Sequence, residues 1–237
     1  GTNDNDETFS ISTTANAVNV NDIDFTSVAA INAGTSTGDA VTTTELVDAD
    51  LTANGNELVA STINFSNIND ADLSGGALTG TDTNNETFEI DTTNNAVNVN
   101  DIDLTSVASI NAGTSSGDAV TTTETVNADL TANGNELTAS TINFSNINDA
   151  DLSGGALTGT NDNDETFEIS TAANAVNVNA IDFTSVASIN AGTSTGDAVT
   201  TTEAVDADLT ANGNELAAST INFSNINDAD LSGGALT

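Results

Sequence analysis

Asp70-Ala71-Asp72-Leu73-Ser74-Gly75-Gly76-Ala77-Leu78-Thr79 returns unchanged at Asp149 to Thr158 and again at Asp228 to Thr237. The two intervals are equal, so the 237-residue chain is three copies of one unit: residues 1–79, 80–158 and 159–237. Gly1-Thr2, Gly80-Thr81 and Gly159-Thr160 open the copies. A repeat of this kind is the signature of a stacked architecture and governs every residue-level reading. Starting and stopping on copy boundaries without an initial Met, the chain reads as a segment of something longer.

Working outward from that stretch, the copy reads as strand. Thr, Asn, Ser, Asp and Gly dominate, all modest or poor helix formers, and apolar residues do not follow a 3.6-residue spacing. They alternate instead in short runs, Thr8-Phe9-Ser10-Ile11-Ser12, Val18-Asn19-Val20, Ile23-Asp24-Phe25 and Ile63-Asn64-Phe65, with Gly, Asn and Asp between them. Apolar anchors at Ile11, Ile31, Leu51 and Leu73 recur at nearly even intervals. The chain is therefore expected to be all-β, a parallel β-solenoid with about four coils of roughly 20 residues per copy. Tandem β-sandwich beads are the alternative. Comparison of copies sorts positions. Phe25, Leu104 and Phe183 stay large and apolar and are expected inside. Leu46/Thr125/Ala204 and Val59/Thr138/Ala217 vary and are expected outside or at the margin.

The chain has 36 Asp and Glu and no Lys, Arg or His, a formal charge of −36. No side-chain ion pair is available, so each carboxylate must be solvated, hydrogen-bonded, protonated or neutralised by a bound cation. Nucleic acid and anionic membrane surfaces, which attract basic patches, are poor partners. No apolar run is long enough to span a membrane, and no Cys supplies a disulfide or thiolate site. Without His, Cys, Lys or Tyr, the usual nucleophiles and bases are missing, and each carboxylate pair recurs where an active site needs one irregular pocket. No enzyme is expected.

Divalent cations are the ligands this composition favours, Ca²⁺ above all, since it takes six to eight oxygens. Asp70/Asp72, Asp149/Asp151 and Asp228/Asp230 are Asp-x-Asp pairs whose side chains share one face of a strand. Asp48/Asp50 is another, replaced by Asn127/Asp129 in the second copy. Asp22/Asp24 is a further pair, replaced by Ala180/Asp182 in the third. A second group is Asn3-Asp4-Asn5-Asp6 followed by Phe9, repeated as Asn161-Asp162-Asn163-Asp164 with Phe167. That group is similar to the calcium linker of cadherin domains, which implies Ca²⁺ at Asp4, Asp6, Asp162 and Asp164. The middle copy departs from it with Asp82-Thr83-Asn84-Asn85, and the family's proline is missing.

Long near-identical copies rich in Thr, Asn, Asp and Ala resemble the giant repetitive surface proteins of bacteria, such as adhesin stalks and extracellular filament or matrix proteins. The resemblance covers all three copies, with Asp70 to Thr79 as its clearest element. It implies an extracellular, extended spacing role at the cell surface, in some members calcium-dependent. Further copies of the same unit, in one chain or in neighbouring subunits, are the expected partners along the axis, because edge strands need pairing. A calcium-linked sandwich spacer and an ice-binding solenoid built on ranks such as Thr42-Thr43-Thr44 are alternative functions.

Four coils at ~4.8 Å rise about 19 Å, which with twelve carboxylates per copy (36 over three copies) gives roughly one charge per 1.6 Å. Duplex DNA carries one per about 1.7 Å. Self-repulsion then opposes folding and salt relieves it. The melting temperature should rise by at least about 5 °C from low-salt buffer with chelator to molar NaCl or millimolar Ca²⁺. Identical melts in a thermal scan would refute the argument.

Overall fold

Alternation sets the strands. In the run from Thr8 to Ser12, Phe9 and Ile11 are buried while Thr8 and Ser12 are exposed. The computed structural model describes residues 1–13, 17–94, 96–132, 134–170, 175–210 and 213–237. Every regular element among them is a strand. The first copy holds β1 (Thr8–Ser12), β2 (Ala17–Val20), β3 (Ile23–Phe25), β4 (Ala30–Asn32), β5 (Ala40–Thr43), β6 (Ala49–Leu51), β7 (Glu57–Ala60), β8 (Ile63–Ser66), β9 (Asp70–Asp72) and β10 (Ala77–Thr79). The second begins with β11 (Thr87–Asp91), β12 (Ala96–Val99), β13 (Ile102–Thr105) and β14 (Ser109–Asn111). By compactness the chain divides into two units: residues 1–118 with 141–143, and residues 119–140 with 144–237.

In the first unit the strands form two rows. One runs β3, β2, β1, β5, β9, β13, β12, β11. The other runs β4, β8, β7, β6, β10, β14. Their apolar faces meet in the core, where Phe9 and Phe65 stand 6.2 Å apart between ring centroids and tilted, an arrangement aromatic quadrupoles favour. The second unit repeats the plan, with Phe167 against Phe223 at 6.4 Å.

The expected parallel β-solenoid is present. Its turn is longer than the sequence spacing of the anchors suggests. Parallel partners are Thr8 with Ala40, Ala40 with Asp70 and Asp70 with Asp103, so each coil takes half as many residues again as expected. The reason is a pair of antiparallel meanders, seen in the first and the third copy. Ile11, Val18 and Phe25 lie side by side on β1, β2 and β3, as do Leu51, Leu58 and Phe65 on β6, β7 and β8. Each meander adds two strands to its row without advancing the coil. From β3 to β13 the row takes five strand steps, about 24 Å per copy, so the charge spacing relaxes to roughly one per 2 Å. The sandwich-bead alternative fails, because hydrogen-bonded strands of the first and second copies join directly, Ala71 beside Leu104 and Leu78 beside Ile110.

Inside and outside follow the copy comparison with one exception. Leu46 is exposed and Leu104 and Phe183 are fully buried. Phe25 is 43% exposed, because among the described residues β3 is the last strand of its row. Left-handed residues close the meanders: Asn21 and Asp22 have φ of 51° and 62°, matching the paired positive angles of a tight hairpin turn.

In the third copy this turn is Asn179-Ala180, and Ala180 keeps φ at 62°. Alanine is strained in that conformation where Asn and Asp tolerate it. Ala180→Asn should stabilise by about 0.5–1 kcal/mol. Gly155→Ala should cost roughly 2–4 kcal/mol, since a Cβ there would lie 1.8 Å from the Val126 carbonyl oxygen. Urea denaturation of the two variants checks both signs.

Candidate functional site: a carboxylate-lined corner

At one corner of each copy the opening loop lies on a second loop one coil further along the chain. In the second copy these are residues 80–86 and 112–118. Glycine makes the approach possible. A Cβ at Gly80 would stand 2.4 Å from the Ala112 carbonyl oxygen, and Gly113, at φ 100°, lies equally close to that of Thr81. Between the loops sit two buried acids, Glu86 at 1% exposure and Asp118 at 0%. The Glu86 N–H donates to Asp118 Oδ1 at 2.8 Å. The Thr81 hydroxyl and N–H donate to the two Glu86 oxygens at 2.6 and 3.2 Å. Ser115 donates its hydroxyl to Asp118 Oδ1 at 2.8 Å.

Glu7/Asp39 and Glu165/Asp197 repeat the arrangement, with the Glu N–H to Asp Oδ1 at 2.8 and 2.9 Å. Their surroundings differ. In the first copy Ser36 donates to Asp39 Oδ2. In the third, Ser194 Oγ and Asp197 Oδ2 are both buried without a hydrogen-bond partner. Burial pushes the carboxyls of Glu86 and Glu165 up, against the pull of the Thr81 and Thr160 donors, and the neighbouring Asp118 and Asp197 push the same way. Glu7 is held below its usual value by the Thr2 N–H and hydroxyl.

The residues anticipated as cation ligands are distributed along the edges and turns. Asp70 and Asp149 sit beside single carboxylates of the next copy, Asp103 and Asp182. Burial, then Asp103, then Asp6 raise the Asp70 carboxyl. Asp72, Asp151 and Asp230 each accept the N–H of the serine two residues on, at 2.8, 2.8 and 2.9 Å, closing the Ser-Gly-Gly turn. Asp228 lies exposed beside Ala198. Asp48 accepts the Ala77 N–H at 2.9 Å, and Asp50 is exposed beside Thr79. Asp4, Asp6, Asp162 and Asp164 are exposed in the opening loops, where Asp164 accepts the Gly196 N–H at 3.0 Å. Among the described residues no group of three or more carboxylates converges as a metal cage. Within the Thr42-Thr43-Thr44 run, Thr43 is buried and donates to the Glu45 carbonyl.

The Glu/Asp corner escapes a search for Asp-x-Asp pairs, because its members are a whole coil apart in sequence. Its trace in sequence is that Glu7, Glu86 and Glu165, and the Gly-Asp steps at 38–39, 117–118 and 196–197, never change between copies. Chemically the corner binds backbone and hydroxyl donors and stores two acids out of water. No protein-family profile, curated protein or solved structure matches this chain.

The raised groups fix a sign. Glu86 and Glu165 hold protons more tightly folded than unfolded. Their contribution is fully present below the ordinary glutamate value of 4.5 and is lost as pH rises through the raised range. Glu7 acts oppositely, with its contribution lost on acidification. Urea unfolding should show greater stability near pH 4.5 than at pH 7. The Glu86→Gln/Glu165→Gln variant should gain less on acidification than the parent, and an equal gain would remove the corner from the account.

Proposed function

We propose that this chain is a structural repeat segment of an extended extracellular surface fibre, matrix or adhesin stalk, acting as a spacer rather than a catalyst. The observation that carries the reading is the joint between copies. The strand stretch Asp70 to Thr79 of one copy pairs in parallel with residues 103–111 of the next, so copies add along the rows without any new type of contact. An architecture that lengthens by repetition suits a load-bearing or spacing role.

Cations belong to the proposal as neutralising partners. With 36 carboxylates and no side-chain cation, Ca²⁺ or concentrated salt supplies the screening that the chain lacks. Asp70 beside Asp103 and Asp149 beside Asp182 are exposed pairs that a shared divalent ion would neutralise. An extracellular setting, rich in both, fits that need.

Electron microscopy of the material in its source, with and without chelator, tests this reading. Smooth rods rising about 24 Å per copy, loosened or shortened by chelator, are expected. Jointed beads, or a compact particle unaffected by chelator, would overturn it.

A further inference from the structure

The internal joint also shows what lies exposed at the rows' outer edges. In the first unit, among the described residues, β3 pairs with β2 and β4 with β8, and no strand is paired on their other sides. The sequence of that edge, Ile23 to Asn32, differs from Ile102 to Asn111 only at Phe25/Leu104 and Ala30/Ser109. In the second unit, among the described residues, the strand Asp228–Asp230 pairs with Ala198–Thr201 and with no other strand. It belongs to the stretch identical with Asp70 to Thr79. The two free edges are thus the two halves of a joint that the protein already makes twice, within the first unit and within the second.

Burial gives an independent reading of the same surfaces. Ile23 and Phe25 are 56% and 43% exposed, whereas Ile102, Leu104, Ile181 and Phe183 are fully buried. Leu236 is 58% exposed, whereas Leu78 and Leu157 are fully buried. Open apolar hollows lie behind both edges. One of about 350 Å³ is lined by Phe9, Val18, Phe25 and Ile31, and one of about 380 Å³ by Leu209, Leu216, Ile226 and Ala229. Core residues are exposed at each edge, whereas their counterparts at the internal joints are covered.

We propose that the edge formed by Ile23–Phe25 and Ala30–Asn32 binds the edge formed by Asp228–Asp230 and Ala235–Thr237 of a second copy of this chain. The assembly is head-to-tail and heterologous, so each added chain still offers one edge of each kind to a further partner. It rests on the structural reading above and names the partner and register. Asp228 is set beside Asp24, Ala229 beside Phe25 and Leu236 beside Ile31, as Asp149, Ala150 and Leu157 are beside Asp182, Phe183 and Ile189. Asn214 takes the place of Asn56, whose N–H donates to the Asn100 carbonyl at 3.0 Å, and so donates to Asn21. Backbone pairing and apolar cover drive the contact. Like charges oppose it, so assembly strengthens with ionic strength.

Sedimentation velocity of the 237-residue chain in high salt tests the proposal. A concentration-dependent ladder of oligomers is expected. Phe25→Glu and Leu236→Glu should each leave single chains, raising the concentration for assembly by at least about tenfold. Their equimolar mixture should give dimers and nothing longer, because one free edge of each kind survives. Leu46→Glu, the same charge change on an exposed leucine away from both edges, should keep the ladder. Circular dichroism confirms that each variant retains its strands. Single chains for the parent at every salt concentration, dimers from Phe25→Glu alone, or no dimer from the mixture would each overturn the inference. Rods in the native source together with a monomeric 237-residue chain would sink this proposal and leave the fibre reading standing.

Discussion

Backbone pairing between short strands is the interaction on which the rest depends. Most strands are three to five residues long, and no strand of that length is stable alone. Each inner strand persists because neighbours on both sides in its row satisfy its N–H and C=O groups. The inward residue of each step, such as Phe9, Val41, Ala71 and Leu104, then stacks on the previous one and leaves water. Register is exacting, because a one-residue slip would turn Phe9 and Ile11 to solvent and bring Thr8 and Ser10 into the core.

Charge is accommodated within that frame by donors. A chain without side-chain cations has only N–H and O–H groups, water and ions to meet its carboxylates. Asp72 and Asp48 take backbone N–H groups at turns, and Glu86 takes both donors of Thr81. These bonds explain why acids recur at fixed places, including two per copy that are almost wholly buried. Burying Glu86 beside Asp118 costs stability at neutral pH, and the loops it clamps gain a fixed path in return.

Much of the fold was legible in the sequence and one level of it was not. Alternation in Thr8 to Ser12 and Ile63 to Phe65 reads directly as strand, and the near-identity of the three copies reads as stacking. The anchors Ile11, Ile31, Leu51 and Leu73 are inward, yet they belong to different rows, and their even spacing averages over coils and meanders. The seven-residue steps Ile11, Val18, Phe25 and Leu51, Leu58, Phe65 carried the missing information, with Asn54-Gly55 as a hairpin signal inside the second. Hairpin steps hide easily where every turn is polar. The Glu/Asp corner was hidden for another reason: its members meet only after the chain has completed one full coil.

Those seven-residue steps have a kinetic consequence. A meander closes over a handful of residues, so its loops cost little entropy and form on a microsecond scale. The parallel pairings span a whole coil of sequence and wait for that nucleus. The first copy carries two such nuclei, Ile11 to Phe25 and Leu51 to Phe65, one for each row. Folding can start in any copy and spread to its neighbours, and the stack needs no unique starting point however many copies it contains.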